Sequence, residues 1–427
     1  MKVLLESPIL TQSGYGEHAR LVFESIKDLG LEIHLLPLSW GNTPWLIDKT
    51  TAMNIQIEEG IKRFDAYQNL CKQTNQPPNY DIHIHVGILN EYEKKANYSI
   101  CVTAGIETDR VSAEWLLKTH QQKPDKIIVP SEHAKLGFEQ TSYEILVKKQ
   151  NGQQEKQTLQ RNEECPIEVI PYPIKEIQPC DLDIDLETEF NFLTVSLLGP
   201  RKNIEESLIW FLEEFKDDDQ VGLVLKTAQA RSSIMDRIKT IDHFNNIIDK
   251  FPNSKCKVYL LHGNLSESEI NSLYNHPKIK AYITATHGEG YGLPIFEAAY
   301  NGLPVVATNW SGHLDFLTGE LKENGKLKEK KLFAKIDYEL KEIPKNVVWD
   351  KILIEGSKWA YPRQSSFKNQ ARKVYKNYGM YKKWATALQS KLQKTHAKEI
   401  ILKKMSDAII PESQQEWLSA LSEIEIL

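Results

Sequence analysis

Long apolar runs are missing from this chain. No stretch of about 18 consecutive apolar residues interrupts its 427 residues, so no segment reads as a membrane-spanning helix. The opening MKVLLESPIL carries one lysine and a short apolar run broken by Glu6, which reads as a first β-strand and not as a secretion signal. Cysteine is scarce: Cys71, Cys101, Cys165, Cys180 and Cys256 are scattered, odd in number and without metal-site spacing. Reduced thiols in a cytosolic protein are the economical reading. A dominant charge is lacking too. The net charge of −5, from 53 Lys and Arg against 58 Asp and Glu, gives no global attraction to nucleic acid or anionic lipid. What remains is a globular composition, 41% hydrophobic and 26% charged, on a chain long enough for two or three domains.

Strand and helix signals alternate through both halves, the pattern of an α/β protein with parallel sheets. MKVLLES, TQSGYGEHARLVFESIKDLG and LEIHLLPLS read as strand, glycine turn with helix, and strand. Ala19, Leu21, Val22, Ile26 and Leu29 share one helical face, and Gly30 stops the helix. Gly14 and Gly16 sit where a first βα turn receives a ligand phosphate. His18 and Arg20 follow, either facing a ligand or in a solvated or capping role. Residues 41–80 are polar and broken by Pro44, Pro77 and Pro78, with a helix expected around Ile55–Cys71. In YDIHIHVG, Ile82, Ile84 and Val86 point one way, and His83 and His85 read as ordinary strand-face residues. Asn151-Gly152 between two polar alternating runs marks a hairpin inserted near residues 143–165. IQPCDLDIDLETE reads as a linker; its Asp181, Asp183 and Asp185 follow no buried strand, which argues against a metal site.

The second half opens with a strand over Phe192–Leu198, then Pro200-Arg201-Lys202-Asn203 and a helix. Lys226 ends the strand VGLVLKT, and strand carboxyl ends face the crevice in open α/β sheets. A lysine snorkelling to water is the plainer alternative. Asp217-Asp218-Asp219 reads as a solvated turn, and Ser266 with Glu269 as a capping box. The chain is organised around Thr284–Asp315, where a strand, the glycines Gly288, Gly290 and Gly292, a helix entered at Pro294 and a second strand follow one another. Glu289 lies in the glycine loop and Glu297 reads as first-turn helix, with seven residues between them. A carboxylate would repel phosphate there, but it suits sugar hydroxyls, from which it accepts hydrogen bonds.

GEGYGLPxxEA, that glutamate spacing and GLPVVAT together resemble the glutamate–seven–glutamate motif of the retaining family 4 glycosyltransferases. The resemblance implies the GT-B fold, an α/β architecture of two Rossmann-like domains facing across a cleft. The first, on the acceptor side, would span 1–175 and the second, which takes the donor, 185–355, with basic helices in 356–427 crossing back to the first. It implies transfer of a sugar, with retention, from a UDP- or GDP-linked donor to a glycan, lipid-linked sugar or protein, without a metal or resident cofactor. In the family the first glutamate lies against the donor sugar and the second holds the ribose, here Glu289 and Glu297, with Gly290, Tyr291 and Gly292 between them. PRKN resembles the phosphate-binding segment, giving Lys202 to the diphosphate, with Arg201 positioning Lys202 or touching phosphate itself. A family arginine after the strand is replaced by Ser196 and Leu197, and Lys226 is the candidate substitute. The Gly14–Gly16 turn would approach the diphosphate from the first domain. Glu107, in IETDRVSAEW, stands where the family places a polar residue beneath the transferring sugar; a helix cap led by Thr108 or Ser112 is the alternative.

From Lys358 to Lys404 there are thirteen Lys or Arg and one acid, Glu399, interleaved with aromatics. A solvated helical face accounts for this run, and so does an anionic neighbour such as nucleic acid or an anionic membrane surface. Two rival readings therefore stay open: a transferase acting on modified DNA bases, and a non-catalytic nucleotide- or carbohydrate-binding protein. A cytoplasmic location, or one peripheral to the inner face of a membrane, fits either.

Overall fold

Two six-stranded sheets, every neighbouring pair parallel, carry the structure. The computed structural model describes residues 1–41, 43, 45, 50–148, 153–229, 232–323 and 326–411. The chain divides into two units: Met1–Pro173 with Val348–Glu355 and the segment from Lys398 onward, and Ile174–Val347 with Gly356–Ala397.

The first unit runs β1 (Lys2–Ser7), α1 (Gly14–Ile26), β2 (Glu32–Pro37), α2 (Ala52–Thr74), β3 (Ile82–Val86), β4 (Tyr98–Val102), α3 (Ala113–Gln121), β5 (Lys126–Val129), α4 (Glu132–Glu139), β6 (Tyr143–Lys148), β7 (Gln154–Leu159) and β8 (Ile167–Val169). Its sheet order is β2-β1-β3-β4-β5-β8, while β6 and β7 form a separate antiparallel pair. Asn151-Gly152, the expected turn of that pair, and Pro44 lie outside the described residues. Strands buried on both faces read as near-continuous apolar runs, and β3 is buried at all five positions. His83 and His85 are therefore more than strand-face residues. They surround Glu6, whose Oε2 lies 3.2 Å from His83 Nε2 and 2.8 Å from Lys95 Nζ. Burial alone would raise the Glu6 carboxyl; the hydrogen bonds from His83 and Lys95, with His85 Nδ1 3.8 Å away, outweigh it and hold the group well below the usual carboxylate range. That is how a carboxylate is accommodated in an apolar strand.

The second unit runs β9 (Phe190–Val195), α5 (Ile204–Phe215), β10 (Val221–Lys226), α6 (Ile234–Ile248), β11 (Lys257–Leu261), α7 (Glu267–Tyr274), β12 (Ile279–Ile283), α8 (Leu293–Tyr300) and β13 (Val305–Thr308). The expected Ser266–Glu269 capping box is present at the start of α7. Beyond β13 come elements with weaker sequence signals: an antiparallel pair β14 (Thr318–Glu323) and β15 (Lys326–Lys331), then β16 (Ala334–Ile336), which completes the sheet. A second antiparallel pair, β17 (Tyr338–Glu342) and β18 (Lys358–Pro362), precedes α9 (Gln364–Lys376) and α10 (Tyr378–Thr395). The last helix among the described residues, α11 (Lys398–Ile409), belongs to the first unit, where Lys398 Nζ meets Glu24 Oε1 of α1 at 2.6 Å. No helix among the described residues is long and apolar enough to cross a membrane.

The basic run has internal partners. Phe367, Ala371 and Val374 bury one face of α9 in the core that holds Trp210, Phe211 and Phe215. From the same helix, Lys368 pairs with Glu213 of α5, and Arg372 reaches Glu214 at 2.6 Å and Asp218 at 2.5 Å while lying over the Phe215 ring. Asp218 is thus a counterion and not merely a solvated turn residue. Arg363 pairs with Glu339, Lys398 with Glu24 and Lys403 with Asp407, and Lys382 and Lys391 donate to the carbonyls of Gly302 and Thr318. Much of the charge that could recruit a polyanion is therefore used to fasten the chain's own helices. Arg372→Ala is expected to destabilise the protein by about 1–3 kcal/mol in urea unfolding. Lys383→Ala, at an exposed position, should stay within about 0.5 kcal/mol of the parent.

Candidate active site

The strand order β11-β10-β9-β12-β13-β16 is, counted among the strands of this sheet, third-second-first-fourth-fifth-sixth. In such a sheet the chain winds away in opposite directions from the first and fourth strands, and ligands bind at their carboxyl ends. Here those are β9 and β12. After β9, Pro200–Lys202 form a single 3-10 turn, and Asn203, at φ 53°, turns the chain into α5. After β12 comes the loop Thr284–Gly292, in which Gly292, at φ 94°, leads into α8 with Pro294 in its first turn.

The two loops are tied together at Glu289, whose carboxylate is almost fully buried at 7% exposure. Lys202 Nζ donates to Oε1 at 2.6 Å, Arg201 Nη1 to Oε2 at 2.9 Å, and Thr286 Oγ1 to Oε1 at 2.9 Å. Arg201 also donates to Gly288 O at 2.6 Å, and His287 N donates back to Arg201 O at 2.8 Å. Burial by itself would push the Glu289 carboxyl up, but Lys202 and then Arg201 outweigh it and bring the pKa down to about 2. Two cations on one carboxylate leave one net positive charge, close to the start of α8, where free N–H groups add positive potential. A loop that carries a glutamate therefore still favours an anion.

Glu297 is the fifth residue of α8, and the helix has no acidic residue in its first turn, so the first-turn placement is corrected to the second. Its Oε2 accepts from the hydroxyl of Tyr274, at the end of α7, at 2.9 Å. Tyr291 is buried at 4% exposure with its ring against Phe296 and Phe316, so it packs the loop. Gly290 abuts Gly312, where an added Cβ would come within 2.0 Å of Gly290 O. Lys226 is not part of the Glu289 group in this structure. Its Nζ donates to Gly263 O at 2.6 Å, joining the ends of β10 and β11, and burial lowers its pKa.

In the first unit, Gly14 and Gly16 open α1, with Ser13 Oγ accepting from Gly16 N at 3.0 Å. A Cβ on Gly16 would meet Thr11 O at 2.0 Å, whereas space beside Gly14 is open. Arg20 braces this turn by donating to Ile9 O and Thr11 O at 2.8 and 3.0 Å. His18 is wholly buried beside Tyr172, and burial lowers its pKa to about 3; neither residue is the solvated group the sequence allowed. Glu107 lies in the loop after β4, near Tyr15, which bonds Thr103 Oγ1 at 2.9 Å. The helix cap that the sequence allowed is present: Ser112 accepts from Trp115 N at the start of α3. Thr286, Ser311, His313 and Tyr274 touch the site and carried no signal of their own, because a hydroxyl or imidazole that supports a carboxylate has no fixed spacing from it.

Two such parallel α/β units on one chain form the GT-B fold. Sucrose-phosphate synthase from Thermosynechococcus elongatus superposes with a TM-score of 0.59 at 12% identity, covering 98% of this chain and all, 100%, of that one. Anabaena HepE, solved with UDP and glucose, gives 0.58 at 12% identity over 96% and 99% of the two chains. A glycosyltransferase from Rickettsia africae gives 0.57 at 12% identity, over 99% of each. In sequence, a stretch of 116 residues is 28% identical to the serotype-specific mannosyltransferase WbdA of Escherichia coli; it spans 27% of this chain and 13% of that protein. No protein-family model matches the chain.

Because the Glu289 pKa is lowered from 4.5 to about 2, its ionised form stabilises the fold above the unfolded-state value. That stability is lost as pH falls through this window toward the folded value. Urea unfolding from pH 5 to pH 2.5 should therefore show a shallower acid slope in Glu289→Gln than in the parent.

Proposed function

We propose that the chain is a retaining glycosyltransferase that moves a sugar from a UDP- or GDP-linked donor to an acceptor, and that the second unit is its donor domain. The observation that carries this reading is the Glu289 carboxylate clamped by Arg201 and Lys202 at the switch point of the sheet. The arrangement matches the two ends of a nucleotide sugar. The net positive charge of the clamp suits the diphosphate, and a buried carboxylate that stays ionised can accept hydrogen bonds from the sugar hydroxyls. Glu297, on α8 and accepting from Tyr274, would take the ribose. As the sugar leaves, charge builds on the departing diphosphate, and Lys202 with Arg201 would stabilise it. With the carboxylate tied to two cations, Glu289 is a poor proton acceptor. The leaving phosphate is the better candidate to take the acceptor's proton, so retaining transfer would make little demand on a side-chain base.

The solved relatives with UDP and glucose, and the mannosyltransferase stretch, support a nucleotide-sugar donor and a glycan acceptor as the first to be tried. A nucleic-acid acceptor draws less support, since many of the cations between Lys358 and Lys404 are paired within the chain. The test is release of nucleoside diphosphate from a panel of UDP- and GDP-sugars, with and without glycan acceptors. Turnover with at least one donor is expected. Glu289→Gln and Lys202→Ala should each lower kcat/KM by about 100-fold or more. Absence of turnover with every donor, or parental activity in Glu289→Gln, would refute the enzyme.

A further inference from the structure

Ser311 has a backbone conformation that glycine would adopt at no cost. Its φ is 87° and ψ is −167°, a region essentially reserved for glycine. The other five described non-glycine residues with positive φ lie between 42° and 65°, the left-handed region that asparagine and a few others tolerate. Strain of this kind persists where the surroundings impose it, and it clusters at functional sites. The next residue, Gly312, is held against Gly290, so this segment presses directly on the loop that carries Glu289.

What a serine supplies here, and a glycine would not, is the hydroxyl. Glu289 N donates to Ser311 Oγ at 2.9 Å, Ser311 Oγ lies 3.4 Å from His313 Nδ1, and His313 Nε2 lies 2.7 Å from Thr308 O. The direction of every bond follows from chemistry. A carbonyl only accepts, so Nε2 carries the imidazole proton, and burial lowers the His313 pKa, keeping the ring neutral. Nδ1 is then an acceptor, to which the Ser311 hydroxyl donates, and this leaves a serine lone pair for the Glu289 N–H. Thr308, Ser311, His313 and Glu289 are all buried, at 0%, 4%, 0% and 7% exposure, so water does not substitute for any of these bonds.

We propose that Ser311 and His313 are positioning residues for Glu289, fixing the main chain from which its carboxylate meets the donor sugar. The inference rests on the donor-site reading of Glu289, and its test separates the two. Ser311→Gly removes both the strain and the hydroxyl; Ser311→Ala removes the hydroxyl alone. If the residue were only a structural tie, activity would follow stability, and the glycine variant would turn over as well as the parent. The proposal expects Ser311→Gly to melt higher than Ser311→Ala while both lose about tenfold in kcat, with KM for the donor little changed. Parental kcat in Ser311→Gly overturns it.

Two readouts need no turnover. The imidazole nitrogen spectrum of His313 should show the Nε2-protonated tautomer, with its Nδ1 resonance moved by Ser311→Ala. The Glu289 amide should exchange slowly in the parent and rapidly in both serine variants. An Nδ1-protonated ring, or unchanged exchange at Glu289, overturns the relay. If Glu289→Gln keeps parental activity, or no donor turns over, the donor-site reading fails, and the relay is still decided by the exchange of the Glu289 amide.

Discussion

The second unit depends on one electrostatic arrangement: a buried carboxylate, Glu289, shared between Lys202 and Arg201. Removing an ionised carboxylate from water is costly unless it is paired and hydrogen-bonded, and here the carboxylate receives both cations and the Thr286 hydroxyl. The loop after β9 and the loop after β12 are locked to each other by the charge that each needs neutralised. The glycines on either side make the approach possible. Gly292 takes a left-handed turn into α8, and Gly290 and Gly312 let two main chains come into contact.

The same charge balance fits chemistry as well as architecture. A clamp with one positive charge in excess is ready for an anion, and its carboxylate stays ionised to contact a neutral, hydroxyl-bearing group. Few ligands join a dianionic link to a polyhydroxyl group so closely as a nucleotide sugar does. The GT-B fold supplies the setting, but the fold alone carries many functions; the proposed activity rests on the side chains at the switch point.

Much of this was legible in the sequence. Alternating strand and helix signals indicated two parallel α/β halves, and Gly288–Gly292 followed by Pro294 and Gly302 located the loop and helix α8, because glycine and proline mark backbone conformations directly. The glutamate spacing drew attention to Glu289 and Glu297, and PRKN to its cations. The sequence could not show that Arg201 and Lys202 would close on Glu289 itself, since their meeting depends on β9 lying beside β12. Lys226 shows the same limit: a strand-end lysine can face a ligand or water, and this one caps a neighbouring carbonyl. The basic run was the least legible, because three of the acids that pair with it, Glu213, Glu214 and Asp218, lie about 150 residues earlier in the chain. Ser311 left no trace, because strain at a single residue appears only in coordinates.

A structure of the protein with an intact, unreactive analogue of a UDP- or GDP-sugar tests the central claim most directly. The account predicts the sugar hydroxyls within hydrogen-bond distance of Glu289, the diphosphate on Lys202 and Arg201, and the ribose at Glu297. A bound donor that leaves the Glu289 clamp untouched, with its diphosphate held elsewhere, would contradict it.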